Sequence, residues 1–392
     1  MKKSCTSIAL ALSATTFAVG LFASPVQADS VKQLEARIAK LEADAAKTAA
    51  APQAGQVTVA SDVKLQLYGM IRAEAYKDFD YDMGQNSIGF GTITSATPRN
   101  GRYGAHAYQT RLGLRGSVED LKFNLESDFY GNGGGSFRIR HAYGEYAGFT
   151  LGQTWSNWGA YNPSGMWDFD GLPGGAGYRV MQARYTFKPS ENIAASVSVE
   201  EDPLPWRRRP ILTGALNFTQ GQNAYKVTAM SRKIDDLRGK GVSGWGVSFS
   251  GNLKPWEGGA LQFALLKGEA VSSVLKGGTG VGRQADGRNA SSSYEIDANG
   301  KPIGITAYSV GVSHAITPKV ELGAAIGQNR YDDFAGSAPA SIKSMTGAIL
   351  TMKYRPTERV AMGLDYIRFE RKEMSGRKVN ADRLLAVATF SF

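Results

Sequence analysis

The last ten residues of the sequence, RLLAVATFSF (383–392), alternate between two kinds of side chain. Every second residue counted back from Phe392 is aromatic or aliphatic, whereas the other phase is more polar and leads back to Arg383. A period of two is typical of a β-strand with one face in an apolar environment and the other in a polar one. The stretch therefore predicts a long strand that ends in an aromatic residue.

The same alternation recurs upstream as far as residue 63. The segment KLQLYGMIRAEAY (64–76) has one aliphatic phase and one phase that carries Lys64, Arg72 and Glu74. Such segments are longer than the five or six residues of most soluble strands, and a tilted strand needs about 9–11 residues to cross a membrane. The sixteen predicted strands span residues 64–76, 107–118, 121–130, 136–147, 148–154, 179–188, 192–201, 210–219, 223–232, 243–253, 259–269, 304–315, 319–330, 343–354, 359–371 and 381–392.

Composition restricts the class of protein. The formal charge is +10, and the only cysteine, Cys5, lies near the N-terminus, so a disulfide framework or a cysteine-ligated metal site is excluded. No run of about 20 apolar residues follows residue 28, which excludes a transmembrane helix there. A secreted β-protein and an outer-membrane barrel remain.

The connections between the predicted strands alternate in length. Short turns such as VED near residue 119 and ITPK near residue 317 alternate with long loops such as 77–106 and 270–303. Outer-membrane barrels have this asymmetry, whereas a soluble sandwich gives no reason for it. The pattern predicts an all-β, 16-stranded antiparallel transmembrane β-barrel over residues 63–392, whose last strand closes against its first.

The segment before the barrel has three predicted parts. Residues 1–28 have the basic, apolar and small-residue regions of a signal peptide. Residues 29–48 have apolar residues at coiled-coil spacing and predict a short helix that is stable only when paired; an unpaired amphipathic arm is the alternative. Residues 49–62 read as a linker.

Several motifs resemble those of a known family. RLGLRGSVEDLKFNLESDFYG (111–131) resembles the second and third strands of trimeric porins, and RIRHAYGEYAGFTLGQTWSNW (138–158) resembles the next two strands and the start of a third loop that folds into the pore. Their order, together with the N-terminal heptads, is most similar to the DcaP-like family of outer-membrane porins. The resemblance covers essentially the whole mature chain. It implies a homotrimer in the outer membrane of a Gram-negative bacterium, with the arm in the periplasm, and uptake of dicarboxylic acids.

Basic residues in the polar phase form the first candidate site. An arginine that faces lipid near the bilayer midplane costs about 2–4 kcal/mol, so these residues are expected to face the pore, where guanidinium groups attract anions. The predicted basic constriction consists of Arg72, Arg111, Arg115, Arg138, Arg140, Arg184 and Lys122. The alternative is that they pair with Glu74, Glu126, Asp128 or Glu145 and only brace the wall.

One strand resists a simple assignment. In SFRIRHAYGEY (136–146), Arg138 and Arg140 occupy one phase, whereas His141 and Glu145 occupy the other. The cost argument places the arginines inside, and His141 is then expected near a rim or an interface.

The loop at residues 155–178 forms the second candidate site. A surface loop seldom carries so many aromatic residues unless it packs against something, so the loop is expected to fold inward and narrow the pore, with its acids opposite the arginines. The predicted constriction loop contributes Trp155, Trp158, Tyr161, Trp167, Asp168 and Asp170. The alternative is an extracellular loop buried in a subunit contact.

The predicted function is passive diffusion of small anions, with dicarboxylates implied by the resemblance. A general non-selective porin and a barrel that tethers the cell wall are the alternatives. The chain has three histidines and none lies in a catalytic motif, so an enzyme is not expected, nor is a metal or cofactor. Lipopolysaccharide is a predicted partner, through WRRRP (206–210), although such runs are more often solvated charge.

Overall fold

The computed structural model describes residues 56–60, 63–85, 88–168, 171–204, 208–236, 238–277 and 294–392. The predicted signal peptide, the predicted coiled coil and most of the predicted linker lie outside the described residues, as does Asp170. Within the predicted linker, residues Gln56–Ala60 form a short strand instead. No helix among the described residues is long and apolar enough to span a membrane.

The described residues form strands joined by turns and loops, with short 3₁₀ turns at Ile88–Thr92 and Ser272–Val274. The strands are β1 (Gln56–Ala60), β2 (Val63–Asp78), β3 (Arg102–His106), β4 (Arg111–Val118), β5 (Leu121–Gly131), β6 (Ser136–Tyr146), β7 (Phe149–Trp155), β8 (Arg179–Ser190), β9 (Ile193–Glu200), β10 (Ile211–Gln220), β11 (Asn223–Asp235), β12 (Gly241–Leu253), β13 (Gly259–Glu269), β14 (Gly304–Thr317), β15 (Val320–Tyr331), β16 (Ile342–Tyr354), β17 (Val360–Glu373) and β18 (Lys378–Ser391).

From β4 to β18 each strand pairs antiparallel with the next, and β18 pairs with β2, from Arg383 opposite Asp78 to Ser391 opposite Met70. The sheet is therefore closed. Strand β3 pairs with one half of β2 and β4 with the other half, so together they form one strand of the wall. The result is an all-β, 16-stranded antiparallel closed barrel, as predicted, with β1 as an added hairpin on β2.

The second wall strand differs from its prediction. It was expected as one segment, residues 107–118, but it begins at Arg102 and is interrupted between His106 and Arg111. Strand β3 spans Arg102–His106, a region without clear alternation, and it pairs with the second half of β2. The interruption is a tertiary feature that periodicity alone could not indicate.

The two faces of the wall have opposite chemistry. In the last strand, β18, the apolar phase is exposed and the polar phase is buried, since Phe390 is 50% exposed whereas Arg383 is 1% exposed. A soluble barrel would bury its apolar face, so this reversal fits a wall surrounded by acyl chains. The exposed apolar face includes Leu67, Ile71, Leu112, Leu125, Phe137, Phe149, Val197, Leu212, Phe249, Leu350, Phe390 and Phe392.

A β-bulge in β6 explains the conflict of phase in that strand. Glu126 of β5 lies opposite His141 and the next residue, Ser127, lies opposite Ile139, so Arg140 is an extra residue in β6. Such a bulge shifts the alternation by one residue. Arg138, Arg140 and His141 therefore all lie on the polar face, and the expectation that His141 sits near a rim or an interface was wrong: it is buried opposite Glu126.

Candidate functional site

The long connection between β7 and β8, described at residues 156–168 and 171–178, lies against the polar face of the strands from β11 to β17. Trp158 is fully buried beside Gly246 of β12, and the Tyr161 N–H donates to the Ser250 Oγ at 3.0 Å. The Lys226 Nζ donates to the Gly159 carbonyl oxygen at 2.6 Å. These contacts join the first half of the loop to β11 and β12.

The middle of the loop reaches β16, β17 and β2. The Trp167 Nε1–H donates to the Met352 carbonyl at 3.4 Å, and the Asp168 N–H donates to an Asp365 carboxylate oxygen at 2.8 Å. The Arg72 Nη2 donates to the Trp167 carbonyl at 3.0 Å. The loop therefore extends from β8 across to the strands that close the barrel.

Glycines on the polar face make room for this loop. A Cβ atom on Gly246 would lie 2.7 Å from the Trp158 ring, and one on Gly327 would lie 1.9 Å from the Pro173 carbonyl oxygen. Both distances are far below ordinary contact. The same holds where Pro163, Pro173 and Trp167 meet the wall, at Gly311, Gly347 and Gly363. The absence of side chains along this path lets the loop approach the backbone.

A second segment joins the loop. The Lys276 N–H donates to the Gly175 carbonyl at 2.8 Å, and the Asn329 Nδ2 donates to the Lys276 carbonyl at 3.0 Å. Leu275 forms an isolated bridge with Ala176. Residues 270–277, which follow β13, are thus attached to loop 156–178, and they bring the Lys276 side chain to it.

A buried charge cluster anchors that second segment. Arg232 of β11 donates to Asp202 through Nε at 2.8 Å and to the Ala270 carbonyl through Nη1 at 3.0 Å. The Nη1 atom also contacts Glu295 at 3.4 Å. The side chains of Arg232, Asp202 and Glu295 are fully buried, so each depends on the others for charge compensation.

Three of the predicted arginines are paired with acids. Arg72 pairs with Glu74 at 2.5 Å, and Arg138 pairs with Asp128 at 2.6 Å. Arg140 pairs with Glu126 at 2.7 Å and with Asp128 at 3.0 Å. This is the bracing arrangement that the sequence left open, although Arg138 remains about a third exposed and so still presents its guanidinium to a solute.

These groups surround a cavity of about 350 Å³ between the wall and the loop. Four basic and two acidic side chains line it, so its lining carries an excess of positive charge. The basic residues are Arg138, Arg140, Arg179 and Lys276, and the acidic residues are Asp128 and Asp168. Tyr130, Trp155 and Tyr178 add aromatic surface.

The other predicted basic residues lie away from this cavity. Arg115 places its guanidinium 4.0 Å from the Tyr68 ring centroid and, with Lys122, lines a separate cavity. Arg111 lies opposite Asp128 in the register, and Arg184 lies opposite Thr150 with its Nε buried. The structure thus places Arg138 and Arg140 at the cavity beside the loop, and Arg115 and Lys122 at a separate cavity.

The predicted loop residues also separate. Trp158, Trp167 and Asp168 are buried in the loop and Tyr161 is half-buried. Trp155 differs, because it is the last residue of β7, is 38% exposed, and carries the Arg179 guanidinium 4.7 Å from its ring centroid.

Sequence reasoning missed Arg179 and Lys276 of the cavity. Arg179 begins β8, but the alternation of that strand places it in the same phase as the exposed apolar residues Met181 and Tyr185, so periodicity did not indicate it. Lys276 belongs to no strand and lies near a glycine-rich stretch, so no periodicity indicated it. No group of metal-binding side chains occurs among the residues that the structure describes.

Residues 26–200 match the family model described as DcaP outer membrane protein. The solved structures similar to this chain include the outer membrane channel DcaP of Acinetobacter baumannii, with a TM-score of 0.75 and 24% identity over 86% of this chain and 99% of that one. An anion-selective porin from Comamonas acidovorans gives a TM-score of 0.56 and 13% identity over 84% of this chain and 100% of that one. The trimer form of OmpT from Vibrio cholerae gives 0.53 and 12%, over 84% and 100%. No curated protein sequence matches the chain.

Proposed function

Since residues 26–200 match the family model described as DcaP outer membrane protein and the described strands form a closed 16-stranded barrel, we propose that the chain is an outer-membrane porin whose channel prefers small anions. The observation that carries the proposal is the basic excess around the cavity beside loop 156–178. Charged side chains at the narrowest part of a pore set the sign of the ions that pass, and a low-dielectric wall strengthens their field.

The contacts of loop 156–178 support its role as the constriction. It is bound to the polar face of the wall near its start through Trp158 and near its middle through Trp167, whose carbonyl accepts from Arg72. A loop held in this way narrows the lumen. Asp168 and the basic residues on the facing wall then produce a transverse field, which orients a solute that carries charge at one end.

Dicarboxylates are the proposed solutes. The planar guanidinium group can hold a carboxylate through two parallel N–H donors, and Arg138 and Arg179 border the cavity from different strands. A molecule with two carboxylates can engage both. The resemblance to the DcaP-like family supports this class of solute, and the cavity volume of about 350 Å³ accepts small ones.

The first test is ion selectivity in planar bilayers under a salt gradient. We expect wild-type channels to prefer chloride over potassium, and we expect Arg179→Gln/Lys276→Gln to lower that preference roughly three- to ten-fold, because pore potentials reach several kT. Lys319→Gln, in an exposed turn, is the matched control and should change nothing. Equal permeation of both ions in the wild type would favour a general non-selective porin.

The remaining partners are proposals as well. A homotrimer is supported by the likeness to OmpT in its trimer form, and residues 29–48 are proposed to form a periplasmic coiled coil that aligns three barrels. Lipopolysaccharide contact at 206–210 has weaker support, since Arg208 pairs with Asp235 and Arg209 donates to Ser231 at 3.0 Å. Deletion of residues 30–56 should weaken the trimer while conductance persists, and a trimer of unchanged stability would instead favour a tethering role for the arm.

A further inference from the structure

A second polar cavity, of about 380 Å³, lies beside the short turns that join β4 to β5 and β6 to β7. Its basic side chains are Lys64, Arg115 and Lys122, all of them exposed. Among the residues that the structure describes, none forms an ion pair with these three side chains. Glu145 is the single acid in the lining.

The strand register shows how closely the charges are grouped. One row across four strands reads Lys64, Ser117, Lys122 and Glu145. The adjacent row places Arg115 opposite Asn124, two residues from Ser117. Because neighbouring strands lie about 4.7–4.9 Å apart, the three basic residues leave the wall within about 10 Å of one another.

Arg115 is held in one orientation. Its guanidinium lies 4.0 Å from the Tyr68 ring centroid, and the Tyr68 hydroxyl donates to Asn124 at 2.9 Å and to Glu126 at 3.1 Å. A guanidinium on the face of a fixed ring keeps the N–H donors at its edge available for a ligand. Ser117, Asn124 and Tyr143 add polar groups to the same cavity.

This arrangement contrasts with the constriction. There, Arg72, Arg138 and Arg140 are all paired with carboxylates, whereas the basic residues at the short turns are not. Exposed and unpaired positive charge at the mouth of a low-dielectric pore raises the local concentration of anions. The two groups are therefore expected to act in different ways.

We propose that the cavity formed by Lys64, Arg115 and Lys122 is a second anion site that takes small dicarboxylates at the short-turn mouth of the barrel. It rests on the proposed function in its choice of solute. Two lysines and an oriented guanidinium provide three separated cationic groups, and a dicarboxylate can engage at least two of them at once. The site would collect solute at one mouth, whereas the constriction selects it.

The test uses a cysteine reporter, since the chain has no cysteine besides Cys5. In a Cys5→Ser background, Ser117→Cys lies opposite both Lys64 and Lys122. We expect an anionic methanethiosulfonate reagent to label it about ten-fold faster, relative to a cationic one, than it labels the control Thr219→Cys. Thr219 is an exposed residue at the short-turn end of β10 that faces Ala224.

Adding Lys64→Gln and Lys122→Gln to Ser117→Cys should lower the ratio of the anionic to the cationic labelling rate to the value measured at Thr219→Cys. Succinate should slow labelling of Ser117→Cys at lower concentration than acetate does at equal ionic strength. A ratio at Ser117→Cys equal to that at Thr219→Cys would overturn the site. Equal protection by acetate would overturn the dicarboxylate assignment.

Labelling does not depend on conduction, so the two proposals can fail separately. An anion-selective wild-type channel with no charge preference at Ser117→Cys contradicts the second site alone. A non-selective channel whose Ser117→Cys variant still reacts faster with the anionic reagent contradicts the proposed function but supports the second site.

Discussion

Replacing Arg232 by methionine should lower the free energy of unfolding by about 3–5 kcal/mol, since it leaves two buried carboxylates without a cation. Arg232, Asp202 and Glu295 are fully buried, and the Arg232 guanidinium also donates to Ser273 at 3.1 Å and to the Ala270 carbonyl. The measurement is unfolding in urea or heat, followed by the electrophoretic shift of the folded barrel.

The pH dependence of the variant gives a second readout. Burial raises the pKa of the Glu295 carboxyl, and the Arg232 guanidinium acts against that rise. Without Arg232 the pKa should rise further, and a carboxyl whose pKa is raised by folding stabilises the folded state at low pH and loses that contribution as pH increases. The loss in the free energy of unfolding caused by Arg232→Met should therefore be smaller at pH 5 than at pH 8.

A matched variant separates loss of charge balance from loss of packing. Arg232→Met combined with Asp202→Asn and Glu295→Gln removes every charge of the cluster and should recover part of the stability, because no ionised group is then left buried without a partner. If Arg232→Met alone unfolds like the wild type at both pH values, the cluster has no anchoring role.

The Gly327→Ala variant should displace the segment around Pro173 and raise the single-channel conductance. The added Cβ would lie 1.9 Å from the Pro173 carbonyl oxygen, and backbone atoms cannot yield as a flexible side chain can. Forcing an extra methyl group into a packed contact costs about 1–3 kcal/mol, which moving the loop away from the wall would avoid. The measurement is conductance in planar bilayers, together with ion selectivity.

Gly323→Ala is the control on the same strand and the same face. Its Cβ would lie 3.2 Å from the Met166 Cε, which is the end of a flexible side chain, so the loop should stay in place and conductance should match the wild type. Should Gly327→Ala conduct and select like Gly323→Ala, loop 156–178 does not limit the pore.

The strands could be predicted from the sequence because their signal is local. A strand in a barrel wall meets lipid on one face and polar groups on the other along its whole length, so each strand records its own orientation with a period of two. The terminal strand shows this, with Phe390 exposed and Arg383 buried as its alternation indicated. Sixteen wall strands and their antiparallel order followed from the same signal.

The alternation failed to predict two features of the strands, because each depends on the pairing with a neighbouring strand. The bulge at Arg140 is visible only when β6 is paired with β5, and the interruption between His106 and Arg111 appears only when both halves pair with β2. Periodicity in one strand contains no information about a partner's register, so the phase of β6 could not be assigned from its own residues.

The candidate site was likewise predictable only in part from the sequence. The sequence by itself determined which residues are basic, which phase they occupy and that an aromatic-rich loop follows β7. Only the tertiary structure decided which arginines pair with acids, that Lys276 joins the cavity, and that glycines of β12 and β15 adjoin Trp158 and Pro173. Alternation is a property of each strand alone, whereas charge pairing and close approach depend on groups that are far apart in the chain and adjacent only in the closed barrel.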